Sequence, residues 1–407
     1  MSTRRDDPDG AAPRARWAQT GRIASRTTAG VLAVLFALFH PSGGTESRKL
    51  GGRTVPGPLP PSSTAPLPDL DQFLDLTYGS AEGEALKLDL ARPRVCRGQT
   101  LPLVIFVHGG GWHSGDKKGG LARSDSRMFF QLGFAVASVN YRLSPQHHFP
   151  AHINDCKLAV RFLRTNAAAF GLDPARFGIW GSSAGGHLVS LMGTADDDDG
   201  LEGPGLAGVS SRPQAVVDHF GPEDLTRVWA GSEATIRDFL GADASNFLDL
   251  ARWASPVTYV TPGDPPILII HGDMDFVVPY GQAVAFVEKL IPAENAGALI
   301  QVKNAGHGFS PFPPGAAITP TRDRIDFLTV AHLARYLEPA LLADLNMDGR
   351  VDRADYYELR RAMGMVGFGP GASPAPADWN PLADLEPNGR IDLADWKVFW
   401  TRGGFFY

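Results

Sequence analysis

The sequence predicts an α/β fold in which a mostly parallel sheet is covered by helices on both faces. One observation is a series of short, wholly apolar runs of strand length, of which Leu101–Val107 (LPLVIFV) is an example. Strands without polar alternation are buried on both faces, as in parallel sheets. The other observation is that amphipathic helical patterns separate these runs, and this alternation is typical of parallel sheets.

Each predicted element follows from the same two patterns. Apolar strand runs similar to the first occupy Phe134–Asn140, Phe177–Trp180, Ala215–His219, Ile267–Ile270 and Leu299–Lys303. Helical patterns occupy Ile153–Ala168, His187–Gly193, Gly281–Leu290 and Asp323–Tyr336. The segment from Leu76 to Leu90 is expected to form an antiparallel hairpin at the sheet edge. The acidic run Asp196–Asp199 is interpreted as a solvated loop.

Length and composition agree with an ordinary globular protein. The 407 residues suffice for two domains and connecting sequence, at roughly 100–200 residues per domain. With 43% hydrophobic and 20% charged residues, a sizeable core is available. The net charge of −6 gives no electrostatic case for nucleic-acid binding. The two cysteines, Cys96 and Cys156, are too few for a disulfide scaffold, and their spacing leaves open whether they pair.

The N-terminal segment predicts export. Several arginines precede the apolar run Ala29–Phe39, which small residues follow. As a helix this run would rise only about 16 Å, too short for a hydrocarbon core of roughly 30 Å. A basic segment, a short apolar stretch and small residues together form a signal peptide. An uncleaved membrane anchor and a disordered tail are the alternatives.

A nucleophile motif follows the third apolar run in the chain. Gly181-Ser182-Ser183-Ala184-Gly185 matches G-x-S-x-G and lies between a strand pattern and a helical pattern, as this motif requires. The glycines are needed because the turn from strand to helix is sharp, and side chains two residues from the serine would collide. Ser183 is therefore the predicted nucleophile, and Ser182 is a neighbouring turn residue.

A glycine-rich loop predicts an oxyanion hole. His108-Gly109-Gly110-Gly111-Trp112 directly follows the strand run that ends at Val107. The N–H groups of Gly110 and Gly111, with that of Ala184, are expected to bind the oxyanion formed in acyl transfer. Preorganised donors of this kind contribute about 3–4 kcal/mol each.

The acid and the base are expected after the nucleophile, in the order Ser, Asp or Glu, His. Asp273 and Asp275 both follow the strand run Ile267–Ile270. Asp275 is preferred because the loop must turn before its carboxylate can reach a histidine, and Asp273 is expected to cap that loop. His307, between two glycines after the last strand run, is the predicted base. It would take the proton of Ser183 while the aspartate fixes its tautomer, a mechanism that needs no cofactor.

These motifs resemble one enzyme family. His108–Asp116 (HGGGWHSGD), Tyr141–Pro150 (YRLSPQHHFP) and the stretch from Asp155 to Gly186 resemble the hormone-sensitive-lipase-like carboxylesterases, and among them the feruloyl and acetyl-xylan esterases. The resemblance covers about residues 75–337. It implies an α/β-hydrolase fold with an eight-stranded sheet, and short-chain or carbohydrate-linked ester substrates such as acetyl or feruloyl esters on plant polysaccharide. A peptidase or acylaminoacyl hydrolase of the prolyl-oligopeptidase type is the alternative, and a non-catalytic binding or scaffold protein is another.

Two acidic repeats near the C-terminus predict calcium sites. Each follows EF-hand logic, with side-chain oxygens at loop positions 1, 3, 5, 9 and 12, a glycine at 6 and a backbone carbonyl at 7. The first set of ligands is Asp344, Asn346, Asp348, Arg350 (carbonyl), Asp352 and Asp355, and the second is Asp384, Glu386, Asn388, Arg390 (carbonyl), Asp392 and Asp395. Aspartate at position 12 and the absence of a clear entering helix make the pair resemble a dockerin type I module. The resemblance implies a small all-α domain, two bound Ca²⁺ ions and a cohesin-type partner.

The chain is therefore predicted to have four parts. Residues 1–44 are a signal peptide or N-terminal anchor, and residues 45–70 are a Pro-rich linker. Residues 71–340 form the α/β-hydrolase catalytic domain, and residues 341–407 form the dockerin-like module. The predicted protein is a secreted serine carboxylesterase.

Overall fold

The computed structural model of the protein describes residues 66–94, 99–242 and 246–338. The signal peptide, most of the Pro-rich linker and all twelve predicted calcium ligands lie outside the described residues, as does Cys96. Cys156 is a buried free thiol. No helix in the described part of the chain is both long enough and apolar enough to span a membrane.

Eight strands form one sheet. They are β1 (Leu70–Ala81), β2 (Glu84–Pro93), β3 (Leu101–Val107), β4 (Ala135–Val139), β5 (Leu172–Ser182), β6 (Ala215–His219), β7 (Ile267–Gly272) and β8 (Gly297–Val302). Their order in the sheet is β1-β2-β4-β3-β5-β6-β7-β8. β1 and β2 form an antiparallel hairpin at one edge, β2 pairs antiparallel with β4, and all pairs from β4 to β8 are parallel.

Helices connect these strands. The described α-helices are α1 (Ser124–Gln131), α2 (Ala151–Thr165), α3 (Ala167–Phe170), α4 (Ala184–Thr194), α5 (Glu233–Leu240), α6 (Phe247–Trp253), α7 (Gly281–Leu290) and α8 (Arg322–Leu337). Helix α8 begins where the hydroxyl of Thr321 accepts a hydrogen bond from the N–H of Arg324, a side-chain cap on one of the free donors of the first turn.

The sheet separates two hydrophobic cores. Every residue of β3 is buried, and alternate side chains of a strand point to opposite faces. Ile105 accordingly packs in one core with α2, α4 and α7, while Phe106 packs in the other with α1 and α8. Burial of both faces is the physical reason that the central strands lack polar alternation.

The predicted mostly parallel sheet of eight strands with helices on both faces is confirmed. The edge hairpin is also confirmed, as β1 and β2. The acidic run is exposed apart from the half-buried Asp199, and it contains one short 3₁₀ turn, Asp197–Asp199, rather than loop alone. Helices α1, α5 and α6 were not predicted.

Candidate active site

Ser183 lies at a sharp turn between β5 and α4. Its backbone has φ 57° and ψ −122°, a conformation that costs free energy for a residue with a side chain. A Cβ at Gly185 would lie 2.1 Å from the carbonyl oxygen of Val107, and one at Gly181 would lie 2.4 Å from that of Gly185. No side chain fits at either position, which explains why this turn needs both glycines.

Three side chains from three different loops meet at this turn. His307 Nε2 lies 3.0 Å from Ser183 Oγ, and His307 Nδ1 lies 2.8 Å from Asp275 Oδ2. In a neutral imidazole, Nδ1–H would donate to the carboxylate and Nε2 would accept the serine hydroxyl, and these partners assign the tautomer. The arrangement has the hydrogen bonds that a nucleophile, a base and an orienting acid require.

Asp275 is buried and held by its own loop. Its Oδ1 accepts hydrogen bonds from the N–H groups of Val277 (2.8 Å) and Val278 (2.9 Å). Burial alone would raise the pKa of this carboxyl, but the imidazoles of His271 and His307 and the Val278 N–H outweigh burial and hold the pKa below its usual range. Asp275 therefore stays ionised wherever the imidazole could act as a base.

The expectation that Asp273 caps this loop is wrong. No hydrogen bond reaches its carboxylate from the described residues, and its buried Oδ1 has no partner. Asp275 performs the capping with one oxygen while the other faces His307. His271, which was not singled out, donates from Nε2 to the Val278 carbonyl (2.8 Å) and lies 3.6 Å from Asp275 Oδ2.

The glycine-rich loop forms a wall beside the serine. Gly110 has φ 114° and Gly111 has φ 62°, in the region that favours glycine. A Cβ at Gly110 would lie 2.1 Å from the carbonyl oxygen of Ser114, so a side chain is excluded there. Ala184 is the first residue of α4, where backbone N–H groups have no partner within the helix. The structure thus brings all three predicted oxyanion donors to the surroundings of Ser183.

A cleft of about 570 Å³ opens over these groups. Besides Ser183 and His307, its lining consists of Gly109, Gly110, Gly111, Arg123, Ser182, His219, Phe220, Thr235, Val277, Gly308 and Arg322. The sequence reasoning missed the two arginines, His219, Phe220, Thr235 and Val277, because no local motif marks them. Burial lowers the pKa of His219 to about 3, so this imidazole is neutral near pH 7.

The described residues contain no group of three or more His, Cys, Asp or Glu side chains that could hold a metal ion. The neighbouring His147 and His148 have protein partners instead. His147 lies against the carboxylates of Glu82 (3.0 Å) and Glu84 (3.3 Å), and His148 Nδ1 lies 2.7 Å from the carbonyl oxygen of Asp238.

Comparisons with known proteins agree with this geometry. The BD-FAE family profile matches residues 88–290. The probable carboxylic ester hydrolase LipM of Mycobacterium tuberculosis is 33% identical over 259 residues, which cover 61% of this chain and 58% of LipM. The chain thus spans little more than half the length of LipM.

Two solved structures share the fold. The bifunctional GH43-CE of Bacteroides eggerthii aligns with a TM-score of 0.54 and 33% identity, over 58% of this chain and 33% of that one. A truncated carbohydrate esterase from gut microbiota aligns with a TM-score of 0.52 and 30% identity, over 62% of this chain and 92% of that one. The chain therefore carries a BD-FAE domain and belongs to the α/β-hydrolase esterases.

Proposed function

We propose that this protein is a serine carboxylic ester hydrolase that acts through an acyl-enzyme, with Ser183 as nucleophile, His307 as base and Asp275 as orienting acid. The observation that carries the proposal is the continuous hydrogen-bond chain from Asp275 through His307 to Ser183, at the floor of a cleft walled by the glycine-rich loop. Neither a peptidase nor a scaffold role has an observation of its own in its favour.

The reaction would proceed in two halves. Ser183 Oγ attacks the ester carbonyl while His307 Nε2 takes the hydroxyl proton, and the oxyanion accepts hydrogen bonds from the N–H groups of Gly110, Gly111 and Ala184. The intermediate then expels the alcohol, which receives the proton from His307. A water molecule attacks the acyl-enzyme in the same way, with His307 again as base, and releases the carboxylic acid.

We further propose carbohydrate-linked or short-chain esters as substrates, with acetyl and feruloyl groups as the acyl parts to test. Support comes from the two structural neighbours whose names include a carbohydrate esterase, and from the BD-FAE profile. Export belongs to the same proposal, because the basic and apolar segment at residues 4–39 has the composition of a signal peptide. An exported enzyme would meet polysaccharide outside the cell.

The Ser183→Ala variant tests the proposal. With p-nitrophenyl acetate we expect kcat/KM to fall by about 10³-fold or more, because the nucleophile is removed while the cleft remains. Ser80→Ala, at an exposed serine of the edge strand β1, is the matched control and should keep wild-type activity. Undiminished hydrolysis by Ser183→Ala would refute the assignment.

A panel of substrates separates the alternatives. Acetyl-xylan, methyl ferulate and p-nitrophenyl esters of graded chain length report the acyl preference of the wild-type protein. Aminoacyl amides report peptidase activity. Cleavage of the amides at rates matching those of the esters would favour the peptidase alternative, and hydrolysis of neither class would favour a binding protein.

A further inference from the structure

We propose that Arg322, with Arg123 beside it, forms a subsite for a carboxylate carried by the ester substrate. This inference rests on the proposed esterase function and specifies its substrate class. The ester would carry a carboxylate on its acyl part or on its alcohol part, within reach of the cleft wall opposite the glycine-rich loop. A uronic acid unit and a dicarboxylic half-ester are examples of such chemistry.

Arg322 is held directly beside the predicted base. Its Nη2 donates a hydrogen bond of 2.8 Å to the carbonyl oxygen of Gly308, the residue that follows His307. Its guanidinium also packs over the ring of Phe309, at 5.2 Å from the centroid. Two contacts thus fix an exposed side chain in the cleft before any ligand binds, and preorganisation of this kind reduces the entropy lost on binding.

Most hydrogen-bonding capacity of Arg322 is unused by the protein. A guanidinium has five N–H donors, and the Gly308 carbonyl is the one hydrogen-bond acceptor found for them within the described residues. No carboxylate lies within 4.0 Å of this guanidinium in the same part of the chain, although most arginines there are paired. The remaining donors are therefore available to a ligand.

The charge that a ligand meets in this cleft is positive. Two guanidinium groups line it and no carboxylate does. Arg123 forms a two-pronged pair with Asp125, but that carboxylate is fully buried behind it, and the neighbouring Asp326 is buried as well. This local sign is opposite to the net charge of −6 of the whole chain.

A carboxylate fits this site better than a neutral sugar or alkyl group. The planar fork of arginine matches the two oxygens of a carboxylate and binds them in a two-pronged manner. Arg322 is also the first residue of the 16-residue helix α8, whose N-terminal dipole favours negative charge at the same place. A neutral ligand would gain from neither feature.

Two matched pairs of esters test the proposal and show which side of the ester carries the charge. For the acyl side the pair is 4-nitrophenyl hydrogen adipate and its amide, 4-nitrophenyl adipamate. For the alcohol side the pair is 4-acetoxybenzoate and 4-acetoxybenzamide. Within each pair the measured quantity is the ratio of kcat/KM for the acid to that for the amide.

In Arg322→Gln we expect this ratio to fall by about tenfold or more in at least one pair, because a hydrogen-bonded ion pair is lost. Arg322→Lys keeps the charge and should retain part of the ratio. Arg324→Gln is the matched control: it removes the same charge two residues away on α8, does not line the cleft, and should leave the ratio unchanged. High salt should lower the wild-type ratio.

Three results would overturn the proposal. The first is an unchanged ratio in both pairs of Arg322→Gln. The second is a parallel fall for acid and amide, which would mean that Arg322 only supports the His307 loop. The third is an equal loss in Arg324→Gln, which would indicate a diffuse field without a subsite.

A binding measurement separates this inference from the esterase proposal. In Ser183→Ala, calorimetry with 4-acetoxybenzoate should give a dissociation constant about tenfold lower than in Ser183→Ala/Arg322→Gln. Equal binding to the two variants would overturn the subsite. If the wild-type protein hydrolyses none of the four esters, the esterase proposal fails while the binding result still decides the subsite.

Discussion

Asp275 combines two tasks that the sequence suggested for two aspartates. One of its oxygens accepts two backbone N–H groups of its own loop, and the other accepts the imidazole of His307. The loop conformation and the orientation of the imidazole therefore depend on the same carboxylate. The oxygen of Asp273 that has no partner shows that a position two residues earlier cannot substitute for it.

Replacement of this carboxylate should affect the reaction far more than binding. In Asp275→Asn we expect kcat to fall by about 10³–10⁴-fold, because an amide favours the wrong imidazole tautomer and leaves the imidazolium without a counter-charge. Steady-state kinetics with p-nitrophenyl acetate measures the change. Asp273→Asn is the control, and an equally large loss in that variant would contradict the assignment of the acid.

The lowered pKa of Asp275 also predicts a pH-dependent stability. The folded protein holds a proton on this carboxyl less tightly than the unfolded chain does, so the ionised group stabilises the fold above its unfolded pKa of about 4 and loses this contribution as the pH falls below that value. Urea unfolding at pH 6, 4 and 3 should show the advantage of the wild-type protein over Asp275→Asn shrinking with acidity. A constant difference in free energy of unfolding would rule out the linkage.

The residues of the candidate triad could be predicted because each lies in a loop directly after a strand, in a fixed order along the chain. The arginines of the cleft could not. Arg123 lies just before α1 and Arg322 begins α8, and both positions join the site only through tertiary packing. Choosing the roles of Asp273 and Asp275 likewise required the conformation of the turn, which residue types alone do not determine.

Among the elements, the turn between β5 and α4 is the one most constrained by sterics. The site of a Cβ on Gly185 is occupied by the backbone oxygen of Val107, and backbone cannot move aside without disturbing β3. At Gly281, the first residue of α7, an added Cβ meets no atom within 4 Å and the backbone conformation is ordinary. The two glycines are thus an informative pair.

Gly185→Ala should lower the melting temperature and abolish hydrolysis, because the turn must shift to relieve the clash. Gly281→Ala should raise the free energy of unfolding by about 0.4–1 kcal/mol, since alanine restricts the unfolded chain. Thermal unfolding and p-nitrophenyl acetate hydrolysis measure both effects. An active, stable Gly185→Ala variant would show that the turn is less constrained than its geometry indicates.

The strands were easier to predict than some helices. The central strands are buried on both faces, so their apolar runs are continuous and easily found. In α1 the buried apolar residues Met128, Phe129 and Phe130 are consecutive, which lacks the helical period. In α5 three apolar residues are buried in a helix of eight, too few for a clear pattern.

For the whole molecule, the calcium module is the prediction that lies outside the described residues. Calorimetric titration of the full chain with Ca²⁺ should reveal two sites, because two loops carry the oxygen pattern. The double variant Asp344→Ala/Asp384→Ala should lose this binding and keep ester hydrolysis, since both aspartates are distant in sequence from the candidate triad. Calcium binding that persists in the double variant, or none in the wild-type chain, would contradict the prediction.

The order of the strands has a consequence for how activity first appears. Ser183 follows β5, whereas His307 comes 124 residues later, after the outermost strand β8. The imidazole reaches the hydroxyl only when β6, β7 and β8 have added to the sheet in turn. A partly assembled sheet would therefore hold a folded serine turn that is chemically silent, and during refolding the return of hydrolysis would mark the docking of the last strand.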